Sequence, residues 1–199
     1  MGSALAYRSV PLQSVYCGAK FAIRGFLGAL RSELYHDKIK ITVTEVDLPA
    51  VNTPQFDWAR NKMGHKAQPV PPIYQPEVAA RAIYFGAFHP RRQIWVGFPT
   101  VKAILANRVA PGLIDRYLAS SGYSGQLTDM PSDPSAPGNL FEPVKGPYGA
   151  HGRFDDRART GSWEMFTSRH RYAAAAAFAI AAIAGAGMIV RRLQWREPD

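Results

Sequence analysis

Apolar side chains recur every three or four residues along 14–36, and this spacing predicts one long helix. The stripe is formed by Ala19, Ala22, Ile23, Phe26, Leu30 and Leu34. Residues 39–46 instead alternate β-branched and polar side chains, which predicts a strand. A second helix is predicted to begin at Pro76 and to end near His89, because the first helical turn tolerates proline.

The same pattern continues to about residue 119. It predicts a second strand over 92–98, followed by helices over 101–109 and 112–119. Helices and strands that alternate in this order are typical of parallel strands joined by crossover helices. The first 119 residues are therefore predicted to form an α/β unit.

The remaining chain differs in composition. Residues 120–168 are rich in Gly, Pro, Ser and Asp and lack apolar periodicity, so we expect a flexible linker there. Residues 172–190 carry no charge and are flanked by basic residues, and that length spans a bilayer core. This favours a transmembrane helix within 169–192, followed by a polar tail over 193–199. The alternative is an alanine-rich helix that docks on a soluble domain.

The expected localisation depends on whether residues 172–190 form a membrane anchor. With the helix over 172–190 as an anchor, we expect a membrane-associated protein whose folded part faces the cytoplasm. Without the anchor, we expect a soluble cytoplasmic protein. The chain starts without the basic and apolar regions of a secretory signal.

Composition and charge exclude several classes. Hydrophobic residues make up 47% of the chain, so it is not disordered as a whole. The single cysteine, Cys17, excludes an internal disulfide framework. The formal net charge is +9, but the basic residues are dispersed and no nucleic-acid-binding motif is present. The five histidines show no metal-ligand spacing, so no metal is expected.

Three side chains near the N-terminus suit proton transfer to an alcohol or carbonyl oxygen. Tyr16 and Lys20 are four residues apart and share one helix face, and Ser3 lies in a segment that can fold back beside them. A tyrosine that acts as a base near neutrality must lower its pKa by about 3, which requires about 4 kcal/mol. An ammonium about 5 Å away supplies about 3 kcal/mol at an effective dielectric constant near 20. Lys20 would therefore supply much of the effect, and a further positive charge would complete it.

These residues resemble the short-chain dehydrogenase/reductase family. Ser3, Tyr16 and Lys20 have the family's spacing, and the strand that follows the long helix leads into the segment Pro49-Ala50-Val51-Asn52-Thr53-Pro54. The resemblance covers about residues 1–100. It implies the C-terminal half of a doubly wound, Rossmann-type parallel sheet, formed by residues 1–119, that binds NAD or NADP.

The resemblance also implies a role for each residue. Tyr16 would be the catalytic acid/base, Lys20 would lower its pKa and bind the nicotinamide ribose, and Ser3 would orient the oxygen of an alcohol or carbonyl substrate. Pro49, Val51 and Thr53 would contact the nicotinamide end of the cofactor. The loop over 52–74 would cover the substrate, and helix 14–36 would form a homodimer interface.

The sequence departs from the family in three ways. Ala50 stands where the family usually has glycine, no Gly-rich phosphate-binding turn occurs, and the strand that delivers Ser3 is expected to be missing. We expect the turn to lie upstream, in a longer protein, and the isolated chain to be marginally stable or to need a partner. The alternative function is a non-catalytic, membrane-anchored interaction module derived from half of this fold.

Overall fold

The computed structural model describes residues 1–194, without the side chains at 177, 178, 181 and 189–194. The strands described are β1 (Gly2–Ser3), β2 (Glu45–Leu48), β3 (His65–Ala67), β4 (Gln93–Trp95) and β5 (Leu127–Pro131). The helices described are α1 (Ser14–His36), α2 (Gln55–Trp58), α3 (Pro76–Phe88), α4 (Phe98–Val109), α5 (Pro111–Ser121), α6 (Trp163–Arg169) and α7 (Arg171–Gln194).

Strands β1, β2 and β4 form a parallel sheet in that order. Helix α1 connects β1 to β2, and α3 lies between β2 and β4, so each parallel pair has a helical crossover. A mixed α/β chain with a parallel sheet confirms the predicted class and is consistent with a Rossmann-like fold. The expectation that the strand that delivers Ser3 is missing is wrong. Strand β1 carries Ser3, since Gly2 pairs with Asp47 and Ser3 pairs with Leu48.

Helix α1 has the predicted bounds, and α3 begins at Pro76 as predicted. The predicted strand over 39–46 is displaced, because β2 begins only at Glu45 and continues to Leu48. Residues 39–44 have no neighbouring strand to pair with, since β1 contains two residues and β4 begins at Gln93. A strand needs a partner for its backbone groups, so the alternating pattern alone does not produce one.

One face of the sheet carries the larger core. Its fully or nearly buried members are Val46, Tyr74, Val78, Ala82, Phe85, Ile94, Val96 and Met165. Helix α3 approaches this face closely, since a Cβ on Gly86 would lie 3.1 Å from Cδ1 of Ile94. The opposite face has a second cluster in which Ala6, Tyr7 and Ile104 pack with Trp95.

Parts of the segment 120–168 pack on the domain, which differs from the predicted linker. Strand β5 pairs antiparallel with β3, Phe154 is 3% exposed, and Met165 belongs to the main core. The stretch lacks periodicity because isolated apolar residues, rather than a continuous apolar face, anchor it. Residues 120–168 therefore contribute to the folded unit.

The apolar stripe that predicts α1 is mostly exposed in the structure. Ile23 is 37% and Phe26 65% exposed, and the buried side chains of this helix are Cys17 and Arg31. Periodicity indicates that a face is apolar but does not tell what covers it.

The predicted transmembrane helix over 172–190 lies within α7. Among the residues that the structure describes, no helix has the length and apolarity needed to cross a membrane. The predictions of a transmembrane helix and of membrane association are therefore not supported. More than half of the stretch is alanine, whose single methyl group contributes little transfer free energy. Positions 177, 178, 181, 189 and 190, and the predicted polar tail over 193–199, lie outside the described side chains.

Gly97 lies in the connection between β4 and α4. Its φ is 79°, and a Cβ there would lie 3.0 Å from Cζ of Tyr74 and 3.1 Å from Cγ of Pro49. We expect Gly97→Ala to destabilise the fold by about 1–3 kcal/mol, because alanine is strained at this φ. Urea unfolding measures the loss. Gly149→Ala is the control, since a Cβ there meets nothing within 4 Å. An equal effect of the two substitutions would contradict the prediction.

Candidate active site

The carboxyl ends of β1 and β2 lie side by side and carry the candidate residues. Ser3 ends β1 and pairs with Leu48, which ends β2 and is followed directly by the loop of residues 49–54. Ligands of open parallel sheets bind beyond the carboxyl ends of the strands. The topology therefore brings Ser3 and this loop to the edge of the sheet where a ligand is expected.

Ser3, Tyr16 and Lys20 converge at this edge, as their spacing predicts. The Ser3 Oγ accepts a hydrogen bond from the backbone N–H of Leu5 at 3.1 Å, and the Ser3 side chain lies close enough to Tyr16 to lower the pKa of its phenol. The Lys20 Nζ lies 5.5 Å from the centroid of the Tyr16 ring. It also donates a long hydrogen bond of 3.5 Å to the carbonyl of Met1. A hydroxyl, a phenol and an ammonium thus share one partly open site.

The balance of charge at Tyr16 differs from the expectation. Burial is the largest influence and raises the pKa of Tyr16 above its ordinary value, while the neighbouring Ser3 side chain lowers it and Cys17 raises it further. The Lys20 ammonium lies 5.5 Å from the centroid of the ring and is not among the groups that shift the pKa of Tyr16. The expected depression of the Tyr16 pKa by Lys20 is therefore not present in the chain without a ligand.

The loop of residues 49–54 is held in place by backbone hydrogen bonds. The Asn52 N–H donates to the carbonyl of Tyr74 at 2.8 Å, and the Tyr74 N–H donates to the carbonyl of Ala50 at 2.9 Å. Asn52 is fully buried, whereas its neighbours Val51 and Thr53 are half-buried. The Thr53 N–H also donates to the carbonyl of Val51 at 3.0 Å, so the backbone makes a tight turn at Asn52.

A pair of buried carboxylates lies beside β1, and sequence reasoning missed it. Asp47 and Glu45 are almost completely buried on one face of β2, and Asp47 Oδ1 and Glu45 Oε1 have no hydrogen-bond partner. Asp47 Oδ2 accepts a hydrogen bond from the Tyr7 hydroxyl at 3.0 Å. Burial, and then the charge of Glu45, raise the pKa of Asp47 to about 7. Burial, and then Asp47, raise the pKa of Tyr7 to about 12.

A second network missed by sequence reasoning joins the loop to a distant segment. Asp155 Oδ1 accepts hydrogen bonds from the side-chain amides of Asn52 at 2.8 Å and Gln75 at 2.9 Å. His151 bridges Asp155 and Glu77 with contacts of 2.7 Å each. Hydrogen bonds to Asp155 and Glu77 raise the pKa of His151, and the same contacts lower the pKa of both carboxyl groups.

Comparison with known proteins adds one relative. Over 143 residues the chain is 30% identical to a Bacillus subtilis (strain 168) protein described as the uncharacterized oxidoreductase YxnA. The chain is similar to an oxidoreductase. The match covers 71% of this chain and 40% of the relative, so the chain spans less than half of the relative's length. No protein-family model and no solved structure matches the chain.

The residues at the sheet edge fit one end of a dinucleotide. Hydroxyl and ammonium groups such as those of Ser3, Tyr16 and Lys20 suit a ribose and a polar ring substituent. Thr53 adds a hydroxyl next to the backbone groups of Val51. The sequence contains no Gly-rich turn that would bind the phosphates of a dinucleotide.

Proposed function

We propose that the protein is an NAD(P)-dependent oxidoreductase of the short-chain dehydrogenase/reductase type, which interconverts an alcohol and a carbonyl compound. The observation that carries the proposal is the convergence of the Ser3 hydroxyl, the Tyr16 phenol and the Lys20 ammonium at the carboxyl edge of a parallel sheet. Similarity to an oxidoreductase supports the same class of reaction.

In the proposed mechanism, Tyr16 exchanges a proton with the substrate oxygen. When an alcohol is oxidised, the phenolate of Tyr16 removes the hydroxyl proton; when a carbonyl is reduced, the phenol returns it. Ser3 orients the substrate oxygen, and its contact with Tyr16 favours the phenolate. A nicotinamide cofactor, when bound, supplies the donor or acceptor of the hydride.

Lys20 has two tasks in this mechanism. Its ammonium binds the hydroxyls of the nicotinamide ribose and adds positive charge near Tyr16. Burial raises the pKa of Tyr16 in the chain alone, so additional positive charge is needed before Tyr16 works near neutrality. Pro49, Val51 and Thr53 line the side of the nicotinamide, and the loop over 52–74 covers the substrate.

The proposal also includes a homodimer through α1. The apolar stripe on this helix is exposed, with Phe26 65% accessible, and a second copy of the same helix would cover it.

Nucleotide binding by the protein at its native length tests the proposal. We expect the protein purified from its source to bind NADH or NADPH, measured by the fluorescence of the reduced nicotinamide. Native mass is measured on the same sample, because the chain spans 40% of its relative. A cooperatively folded native protein that binds neither nucleotide would overturn the proposal and favour the interaction module.

Lys20→Met should weaken nucleotide binding about tenfold or more, because it removes charge-assisted hydrogen bonds to the ribose. Lys20→Arg keeps the charge and should retain more of the affinity. Lys102→Met, at an exposed position on α4, is the matched control. Equal affinities of Lys20→Met and Lys102→Met would contradict the role given to Lys20.

A further inference from the structure

Residues 151–157, here called the clamp segment, contact the loop that follows β2 at several points. Asn52 is the centre of the first contact: its side-chain amide donates to Asp155 at 2.8 Å and to Gln75 at 3.1 Å. Its side-chain carbonyl accepts from the backbone N–H of Phe154 at 3.1 Å, and its backbone carbonyl accepts from Gly152 at 3.3 Å. Asn52 is fully buried, so the clamp segment satisfies groups that water cannot reach.

Arg153 makes the second contact, with the part of the loop that contains α2 and β3. Its guanidinium donates to the carbonyl of Phe56 at 3.2 Å and to the carbonyl of Ala67 at 2.7 Å, and forms an ion pair with Asp57. One side chain thereby joins both ends of the segment 56–67. The planar guanidinium suits this task because its five N–H groups point in fixed directions.

Phe154 adds an apolar contact between the clamp segment and the loop that contains Phe56. It is 3% exposed, and its ring meets that of Phe56 edge to face at a centroid distance of 6.0 Å. The Arg153 guanidinium lies 4.8 Å from the centroid of the Phe154 ring, which orients it toward its acceptors.

The clamp segment is itself attached to the rest of the domain. His151 joins it to Glu77 in the first turn of α3, and Arg157 donates to the side-chain carbonyl of Gln68 at 3.1 Å. Strand β5 pairs with β3 on the same loop. The loop 52–74 is thus held between α3 and a segment about a hundred residues further along the chain.

We propose that the clamp segment positions the active site: Asp155 fixes the loop that holds Val51 and Thr53, and Arg153 fixes the part of the loop that covers the substrate. The proposal rests on the proposed function for its catalytic consequence. Because Asn52 lies between Val51 and Thr53, its buried hydrogen bonds also fix the backbone of these two neighbours. Arg153 sets the position of α2 and β3, which belong to the part of the loop proposed to cover the substrate. Both are positioning residues, since neither contacts the reacting atoms.

Hydrogen exchange of the native-length protein tests the clamp without a substrate. In Arg153→Met we expect the amides of Asp57, Ala59 and Gln68 to exchange about tenfold faster or more, because three charge-assisted hydrogen bonds are lost. Amides of α4 should keep their wild-type rates. Arg116→Met, on the exposed face of α5, is the matched control and should change neither set.

Two outcomes would overturn the clamp. Unchanged exchange at Asp57, Ala59 and Gln68 would mean that Arg153 does not hold the loop, and equal acceleration throughout the domain would mean a purely general effect on stability. If Arg153→Met does not fold, Arg153→Lys provides the same comparison. A lysine ammonium replaces only some of the hydrogen bonds that the Arg153 guanidinium makes. An intermediate rate at the three amides is then expected.

The effect of Asp155 is read from the affinity for NADH and NADPH. We expect Asp155→Ala to weaken binding about tenfold, while Asp155→Asn retains an acceptor for Asn52 and Gln75 and stays closer to wild type. Equal affinity of wild type and Asp155→Ala would overturn the positioning role. A wild-type protein that binds neither nucleotide would instead overturn the proposed function, and the exchange data would still decide whether the clamp exists.

Discussion

Tyr16→Phe is expected to lower turnover about a thousandfold, within the range of about 10²–10⁴ that general acid–base catalysis contributes. The substitution removes one oxygen and leaves the ring that lies beneath the Lys20 ammonium. Binding of NADH or NADPH should change little, because Lys20 and the loop at residues 49–54 keep their groups. The measurement is turnover of the native-length protein with a panel of alcohols and carbonyl compounds, together with nucleotide affinity.

Tyr35→Phe is the matched control for this substitution. Tyr35 is exposed and lies at the opposite end of α1 from Tyr16. Its hydroxyl is therefore far from the proposed site and should not affect turnover. Retained turnover in Tyr16→Phe, or an equal loss in Tyr35→Phe, would contradict the assignment of Tyr16. Loss of nucleotide binding together with turnover would indicate that the substitution disturbs the site instead of removing a proton carrier.

The convergence of Ser3, Tyr16 and Lys20 could be predicted because two of the three residues lie on one helix. A spacing of four fixes Tyr16 and Lys20 on the same face of α1 wherever that helix packs. The class of fold followed from the alternation of helices and strands, which constrains parallel strands to crossover connections. Local pattern was sufficient for both.

The contacts made by residues 151–157 could not be predicted in this way. Asn52 and Asp155 are a hundred residues apart, and neither lies in a periodic pattern that indicates a shared surface. The role of buried Asn52 depends on hydrogen-bond partners that are distant in the sequence and that only the folded structure brings next to it. The state of Tyr16 also depended on burial, which a pair of charges considered in isolation does not include.

The buried carboxylates did leave a signal in the sequence. Glu45 and Asp47 are two residues apart in a strand, so they share one face of the sheet, and a parallel sheet in an α/β fold is covered on both faces. Two acids at such positions predict a desolvated pair. The predicted end of the strand hid this, because it lies at residue 46, whereas β2 continues to Leu48 and includes Asp47.

The titration of Asp47 predicts an unusual dependence of stability on pH. Its pKa is about 7 in the folded chain, compared with an ordinary value of 3.8. Between these two values the folded state holds a proton that the unfolded state has released, so the free energy of unfolding falls as the pH rises through this window. The full difference is worth about 4 kcal/mol at 1.36 kcal/mol for each pKa unit. Stability should therefore decrease from about pH 4 to pH 7.

The charged groups around Asp47 decide the sign. Burial and the charge of Glu45 raise its pKa, and the hydrogen bond from Tyr7, the charge of Arg24 and the N-terminal amino group lower it. Arg31 approaches Glu45 at 4.0 Å but donates its hydrogen bonds to the backbone carbonyls of Val43 and Arg92. Burial and the charge of Glu45 outweigh the groups that lower the pKa of Asp47, so the ionised form of Asp47 is unfavourable in the folded chain.

Asp47→Asn should therefore stabilise the chain at pH 8, raising its melting temperature by roughly 5–10 °C, and have little effect at pH 4. Asparagine keeps an acceptor for the Tyr7 hydroxyl, and its amide can donate to Glu45 Oε1, which has no partner. His151 also titrates in part of this range, but it does so in both proteins, so the difference between them isolates Asp47. Thermal unfolding of the 199-residue chain from pH 4 to pH 8 is the measurement, with Asp129→Asn on exposed β5 as the control. A lower melting temperature for Asp47→Asn at pH 8 would mean that the carboxylate is stabilised by its charge, and that the two buried acids hold the sheet together as an ion network.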